Sequence, residues 1–211
     1  VESVSGGYKS YLGNLLVDED RGKVEKEFAK FELGIHFIGT IFLATATKML
    51  VYFINIYTRG VNDANYNNKL FAMLMIWAYF IMIIRIPYTT IVNAAGHFKQ
   101  TQKYSIIEVI INVVISFCAV AKLGLIGITI GTCLAVGYRM IAFVAYLKQS
   151  ILYRSIRKFV KLICIDLMVY LIFIILTYKI EIKVVNYFYW FVAACLFAIC
   201  TGIIYFAIFW G

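Results

Sequence analysis

Residues 70–94, from Leu70 to Ala94, read LFAMLMIWAYFIMIIRIPYTTIVNA and hold one charged side chain, Arg85, and one proline, Pro87. A helix rises about 1.5 Å per residue, so about 20 apolar residues cross a hydrocarbon core of roughly 30 Å. This stretch is long enough and apolar enough to do so. Working outward from it, five more runs of the same kind appear: Leu33–Ile56, Tyr104–Ala121, Leu125–Leu147, Leu162–Tyr178 and Val184–Trp210. The fold class they predict is all-α, a polytopic bundle of about six membrane-spanning helices.

Composition agrees with that reading. The 211 residues are 63% hydrophobic and 15% charged, with a mean hydropathy of +0.86, well beyond the balance of a water-soluble domain. The formal charge of +9 raises the question of nucleic acid, but bases that flank apolar spans are accounted for by an anionic membrane surface, and no nucleic-acid partner is expected. Cys118, Cys133, Cys164, Cys195 and Cys200 all fall inside the apolar runs, as small hydrophobes without metal or redox spacing. No cofactor and no metal site are expected.

Three segments organise the chain. Residues 1–32 read as the end of a preceding transmembrane helix, Tyr8–Val17 with Gly6, Gly7 and Gly13, followed by a charged amphipathic helix over Asp18–Glu32. In the latter, Val24, Phe28 and Phe31 share a face, which predicts a segment lying at the membrane interface. Residues 33–147 form a four-helix core, and 148–211 add two C-terminal helices. The chain begins at Val1 without an initiator Met or a signal-like leader, so an upstream portion is expected.

Orientation follows from the basic residues of the connections. Arg21, Lys23, Lys26, Lys30, Lys99, Lys103, Lys148, Arg154, Arg157, Lys158 and Lys161 fall on one side; Arg59, Lys69, Lys122, Lys179 and Lys183 fall on the other. Eleven against five places the first set in the cytoplasm. The connections are too short for a separate catalytic domain, so function must reside in the helices.

Charges at bilayer depth cost a few kcal/mol or more each and face a bundle interior or an aqueous cavity. Lys48, Arg85, Glu108, Arg139 and Asp166 lie within the spans. Arg85 and Arg139 each sit about 15 residues from the outer end of their helices, roughly 22 Å down, so they fall at one depth. Two guanidiniums there suit a phosphate or pyrophosphate, whose oxygens match the planar fork of donors. The alternative is that each pairs with Glu108 or Asp166 and ties helices together. Glu108, Asn112 and Ser116 recur every four residues, a polar stripe that either lines a path or bonds helix to helix. Gly127, Gly131 and Ala135 form a small-residue surface for close packing. Lys48 is expected to snorkel outward and Asp166 to sit one turn inside the cytoplasmic interface, in contact with water. His36 and His97 read as isolated, without a carboxylate or Cys at ligand spacing. Pro87 is expected to bend its helix within a turn of Arg85.

A family resemblance rests on an ordered set of short motifs. Tyr57-Thr58-Arg59-Gly60 with Asn62, Asp63 and Tyr66 precedes Arg85-Ile86-Pro87-Tyr88, then Asn93-Ala94-Ala95-Gly96-His97-Phe98-Lys99-Gln100-Thr101-Gln102 and Glu108. Ile111-Asn112, Ser116, Lys122-Leu123-Gly124-Leu125-Ile126-Gly127, Gly131-Thr132 and Tyr138-Arg139 follow, with Gly13-Asn14-Leu15-Leu16 upstream. This order resembles Wzx-type polysaccharide flippases of the MOP superfamily, which are similar to MATE transporters. The likeness is detailed from Tyr8 to Arg154 and only compositional beyond.

The resemblance implies the second lobe of a 14-helix, two-lobed transporter of the bacterial cytoplasmic membrane, here the tail of the eighth helix and the last six. It implies alternating-access translocation of an undecaprenyl-pyrophosphate-linked oligosaccharide. Lipid-linked oligosaccharide, membrane lipids and other polysaccharide-assembly proteins are the implied partners. Arg85, Arg139, Asn112 and Glu108 are the candidate substrate-binding residues. Two other classes compete: an ion-coupled MATE-type drug exporter, which needs a carboxylate poised in the cavity, and a membrane-embedded glycan-assembly enzyme, which needs catalytic carboxylates on a sizeable outer loop.

Overall fold

The computed structural model describes residues 2–17, 21–59, 68–182 and 186–210, with side chains described from Gly6 to Phe209 within those ranges. These residues form α1 (Glu2–Val17), α2 (Arg21–Tyr57), α3 (Lys69–Ile84), α4 (Ile86–Ala94), α5 (Phe98–Leu123), α6 (Leu125–Ser150), α7 (Ile156–Thr177) and α8 (Tyr187–Trp210). With α3 and α4 counted as one interrupted span, six helices are long and apolar enough to cross a membrane. The chain is a multi-pass membrane protein with an all-α bundle. Asn62, Asp63 and Tyr66 lie outside the described residues, as do Asp18 and the expected start of the last span at Val184.

The first span needs a correction. The amphipathic segment does not lie apart at the interface: from Arg21 onward it is the opening of one 37-residue helix that runs through to Tyr57. Its apolar face is covered by protein, with Val24 and Phe28 fully buried and Phe31 nearly so. The boundary expected between Glu32 and Leu33 therefore falls within a continuous helix.

That helix is the mast of the bundle, packing against α1, α3, α4, α7 and α8. On one side α3 leads to α6 and α6 to α5; on the other stand α7 and α8, while α1 lies along α4. The core between them holds Phe28, Leu43, Tyr88, Ile91, Leu147 and Phe173. By contrast α5 buries only Thr101 and leaves Val109, Val113 and Phe117 exposed. Such a surface is ordinary where lipid is the solvent, because acyl chains are as apolar as the side chains.

Helix association without a water-driven hydrophobic effect depends on close backbone approach, and α6 supplies it. A Cβ added at Gly127 would lie 2.6 Å from the Ala119 carbonyl carbon, and one at Gly131 2.4 Å from the Ser116 hydroxyl. The turn between α5 and α6 is a single residue, Gly124, at φ +55° and ψ −134°, a conformation that side chains resist.

At one end of the bundle the end of α1, the start of α2 and the α4–α5 and α6–α7 connections border a cavity of about 540 Å³ lined by Leu16, Arg21, Ala95, His97 and Ile151 among others. This is the basic end expected to face the cytoplasm. The α6–α7 connection folds inward there: Tyr153 adopts φ +52°, while its neighbours Leu152 and Arg154 are buried. At the opposite end, the Lys48 ammonium donates to the Thr177 carbonyl at 2.6 Å. Lys48 thus satisfies the carbonyl end of α7, where a cation is favourable, instead of reaching for water.

Candidate functional site

The site begins with a break in a helix. Pro87 has no backbone N–H and its ring crowds the carbonyl four residues earlier, so the helix cannot run on unbroken. The interruption falls at Arg85, the residue that ends α3 and opens α4. The hydrogen-bond ladder resumes on both sides, with Arg85 N–H donating to Ile81 and the Arg85 carbonyl accepting from Thr89, each at 3.1 Å.

From this break the Arg85 side chain reaches α5, where its Nη1 donates to Oε1 of Glu108 at 2.7 Å. The second carboxylate oxygen, Oε2, accepts from Nη1 of Arg139 on α6 at 2.6 Å. Glu108 is thus shared by two guanidiniums that lie 54 residues apart in sequence numbering, Arg85 and Arg139. The three side chains are only 13–22% exposed. One carboxylate facing two permanent cations leaves a net positive charge in a setting of low dielectric. The Arg139 guanidinium also lies over the Phe143 ring, 5.1 Å from its centroid, and its Nε is buried without a hydrogen-bond partner.

Arg85 also borders an open cavity of about 300 Å³ between α1 and the α3–α4 break. Lys9 from α1 lines it, with Thr89, Thr90 and Asn93 from α4, and among the described residues no carboxylate lines it. Lys9 sits beside the Phe98 ring, 5.6 Å from its centroid. Sequence reasoning did not select Lys9, since it precedes the first complete span.

The other expected residue stands elsewhere. Ser116 donates to the Asn112 side-chain oxygen at 3.0 Å and lies 3.3 Å from the Ile128 carbonyl of α6. Asn112 and Ser116 thus lie along the close α5–α6 contact at Gly131. The structure brings Arg85, Glu108 and Arg139 together and places Asn112 one turn further along the same helix.

No known family, curated protein or solved structure matches the chain. Function must therefore be argued from these side chains.

Two buried polar clusters were not visible in the sequence. His36 Nδ1 lies 2.5 Å from Oδ2 of Asp166, and the Thr40 hydroxyl is 2.9 Å from Oδ1. Both members of the His36–Asp166 pair are fully buried. Asp166 is therefore not in contact with water, and His36 is not isolated: burial of a carboxylate at this depth is offset by partners from α2. His97, likewise, is joined to the Tyr146 hydroxyl at 2.8 Å. In the second cluster fully buried Glu32 accepts from the Tyr88 hydroxyl and lies 2.5 Å from Nη1 of Arg154. That contact explains the inward fold of the α6–α7 connection.

Proposed function

We propose that this chain is the second lobe of a Wzx-type polysaccharide flippase of the MOP superfamily, a transporter rather than an enzyme. In this reading it sits in the bacterial cytoplasmic membrane and moves an undecaprenyl-pyrophosphate-linked oligosaccharide to the outer leaflet by alternating access. The observation that carries the reading is the cavity beside the α3–α4 break, where Lys9 and Arg85 supply charge and Thr89 and Asn93 supply polar groups, with no carboxylate among the described lining residues. Phosphate oxygens are the natural partners of such a wall: Arg offers a planar fork and Lys a mobile point charge.

Glu108 then acts as a counter-ion of the empty site. It takes one N–H from each arginine, holding both guanidiniums in place while leaving most of their donors available. An arriving pyrophosphate, more highly charged than one carboxylate, competes for the same donors. Asn112 accepts from Ser116 within α5 and so would act by orienting the hydroxyl that meets the Ile128 carbonyl of α6. The lipid tail remains in the bilayer, and other polysaccharide-assembly proteins of the membrane are the further partners.

An ion-coupled cation exporter is less well supported by the same geometry. Its cavity needs an available carboxylate, whereas Glu108 is engaged by two arginines and Asp166 is enclosed with His36. The test is export of surface polysaccharide by the full transporter carrying Lys9→Ala or Arg85→Ala, normalised to protein in the membrane. Both variants are expected to be present at near-normal levels with reduced export; undiminished export in both removes the reading.

A further inference from the structure

A second cavity, of about 420 Å³, opens at the basic end between α2 and α7, with the last turn of α8 beside it. Five cations line it: Lys26 and Lys30 from α2, Arg154 from the α6–α7 connection, and Lys158 and Lys161 from α7. One carboxylate, Glu32, also lines it, paired with Arg154, and one step deeper the lining turns apolar, with Leu33, Leu162, Ile165 and Phe209. The order is written into both helices. Lys26, Lys30 and Leu33 fall on one face of α2 at spacings of four and three, while Lys158, Lys161 and Ile165 do the same on α7.

We propose that this cavity binds an anionic phospholipid, its phosphate headgroup held by the lysines and its acyl chain laid along the apolar inner lining. The charge balance favours an anion. Lys30 is 2.7 Å from Glu27 and Lys158 2.5 Å from Glu25, and Arg154 is committed to Glu32. Among the described residues Lys26 and Lys161 form no ion pair, so two uncompensated positive charges line the opening, one from α2 and one from α7. A zwitterionic headgroup leaves them uncompensated; an anionic one neutralises them in the layer where basic residues and anionic lipid attract. The apolar inner lining selects a lipid over a free anion, because inorganic phosphate gains nothing from Leu33, Ile165 or Phe209. This site is separate from the cavity beside Arg85, and it stands whether or not the chain is a flippase.

The experiment uses the full chain in a neutral detergent, titrated with phosphatidylglycerol or phosphatidylcholine, with bound lipid counted by native mass spectrometry. Phosphatidylglycerol is expected to bind in clear preference to phosphatidylcholine. Lys26→Ala/Lys161→Ala is expected to lower its apparent affinity about 30-fold, since each basic residue near the headgroup contributes about fivefold. Lys26→Arg/Lys161→Arg should retain it. Both lysines are exposed, so neither variant disturbs the core. Equal binding of the two lipids, or undiminished phosphatidylglycerol binding by the alanine variant, overturns the proposal. Displacement of phosphatidylglycerol by inorganic phosphate at matched concentration assigns the cavity to a soluble anion and overturns it as well.

Discussion

His36 and Asp166 stand 130 residues apart in the chain yet meet at 2.5 Å, with no exposure of either side chain. The pair ties the mast α2 to α7, and it does so in an interior where an unpaired charge or donor is costly.

Removing one partner is therefore expected to cost more than removing both. His36→Leu takes from Asp166 its partner at Oδ2, leaving the Thr40 hydroxyl at Oδ1, and should destabilise the protein by about 3 kcal/mol. The double variant His36→Leu/Asp166→Leu removes the buried polar pair as a unit, and Thr40 still donates to the His36 carbonyl of its own helix. Its loss should be smaller than that of either single change. Thermal unfolding in detergent across this cycle decides; additive losses would mean the two side chains are not coupled.

The glycines of α6 make a graded prediction. Gly127→Ala meets the backbone of Ala119, which cannot swing away, and Gly131→Ala meets the Ser116 hydroxyl and then its backbone nitrogen at 3.0 Å. Each is expected to destabilise by about 1–3 kcal/mol, with Gly127 the worse. At Gly137 a Cβ meets nothing within 4 Å, so Gly137→Ala should be tolerated. Folded yield and unfolding temperature of the three variants test the order.

Orientation is open to direct labelling. In a cysteine-free background, a single Cys at Lys122, in the last turn of α5, should react with a membrane-impermeant maleimide added outside cells. A Cys at Lys99, at the basic end, should react only after permeabilisation. The reverse pattern would invert the assignment drawn from the bias of Lys and Arg.

The spans and their number were legible because a long charge-free run has one stable solution in lipid, the helix. That Arg85 and Arg139 fall at one depth was legible, and the ion-pair alternative named Glu108, with Asp166, as a partner. What the sequence could not carry was lateral position. Val24, Phe28 and Phe31 form the same apolar stripe whether they face lipid or protein, so the opening of α2 read as an interfacial segment. Asp166 read as solvated because depth along α7 says nothing of the neighbour that α2 presents. Lys9 was passed over because only the packing of α1 along α4 brings it to the cavity beside Arg85.

The central claim, that Arg85 serves an anionic substrate and not only the Glu108 ion pair, is tested most directly by exchanging the charges. Arg85→Glu/Glu108→Arg keeps the number of charges and restores a carboxylate–guanidinium pair between positions 85 and 108, the contact through which Arg85 would act structurally, while Arg139 exchanges its carboxylate partner for a guanidinium. It removes the cation from the wall of the cavity and puts a carboxylate there, which repels a pyrophosphate. The measurement is surface polysaccharide exported by the full transporter, normalised to its level in the membrane, for the single variants and the exchanged pair. Export that stays low in the exchanged pair while protein level recovers is the predicted result. Full recovery of export in the exchanged pair would contradict the account and leave Arg85 as a residue that holds helices together.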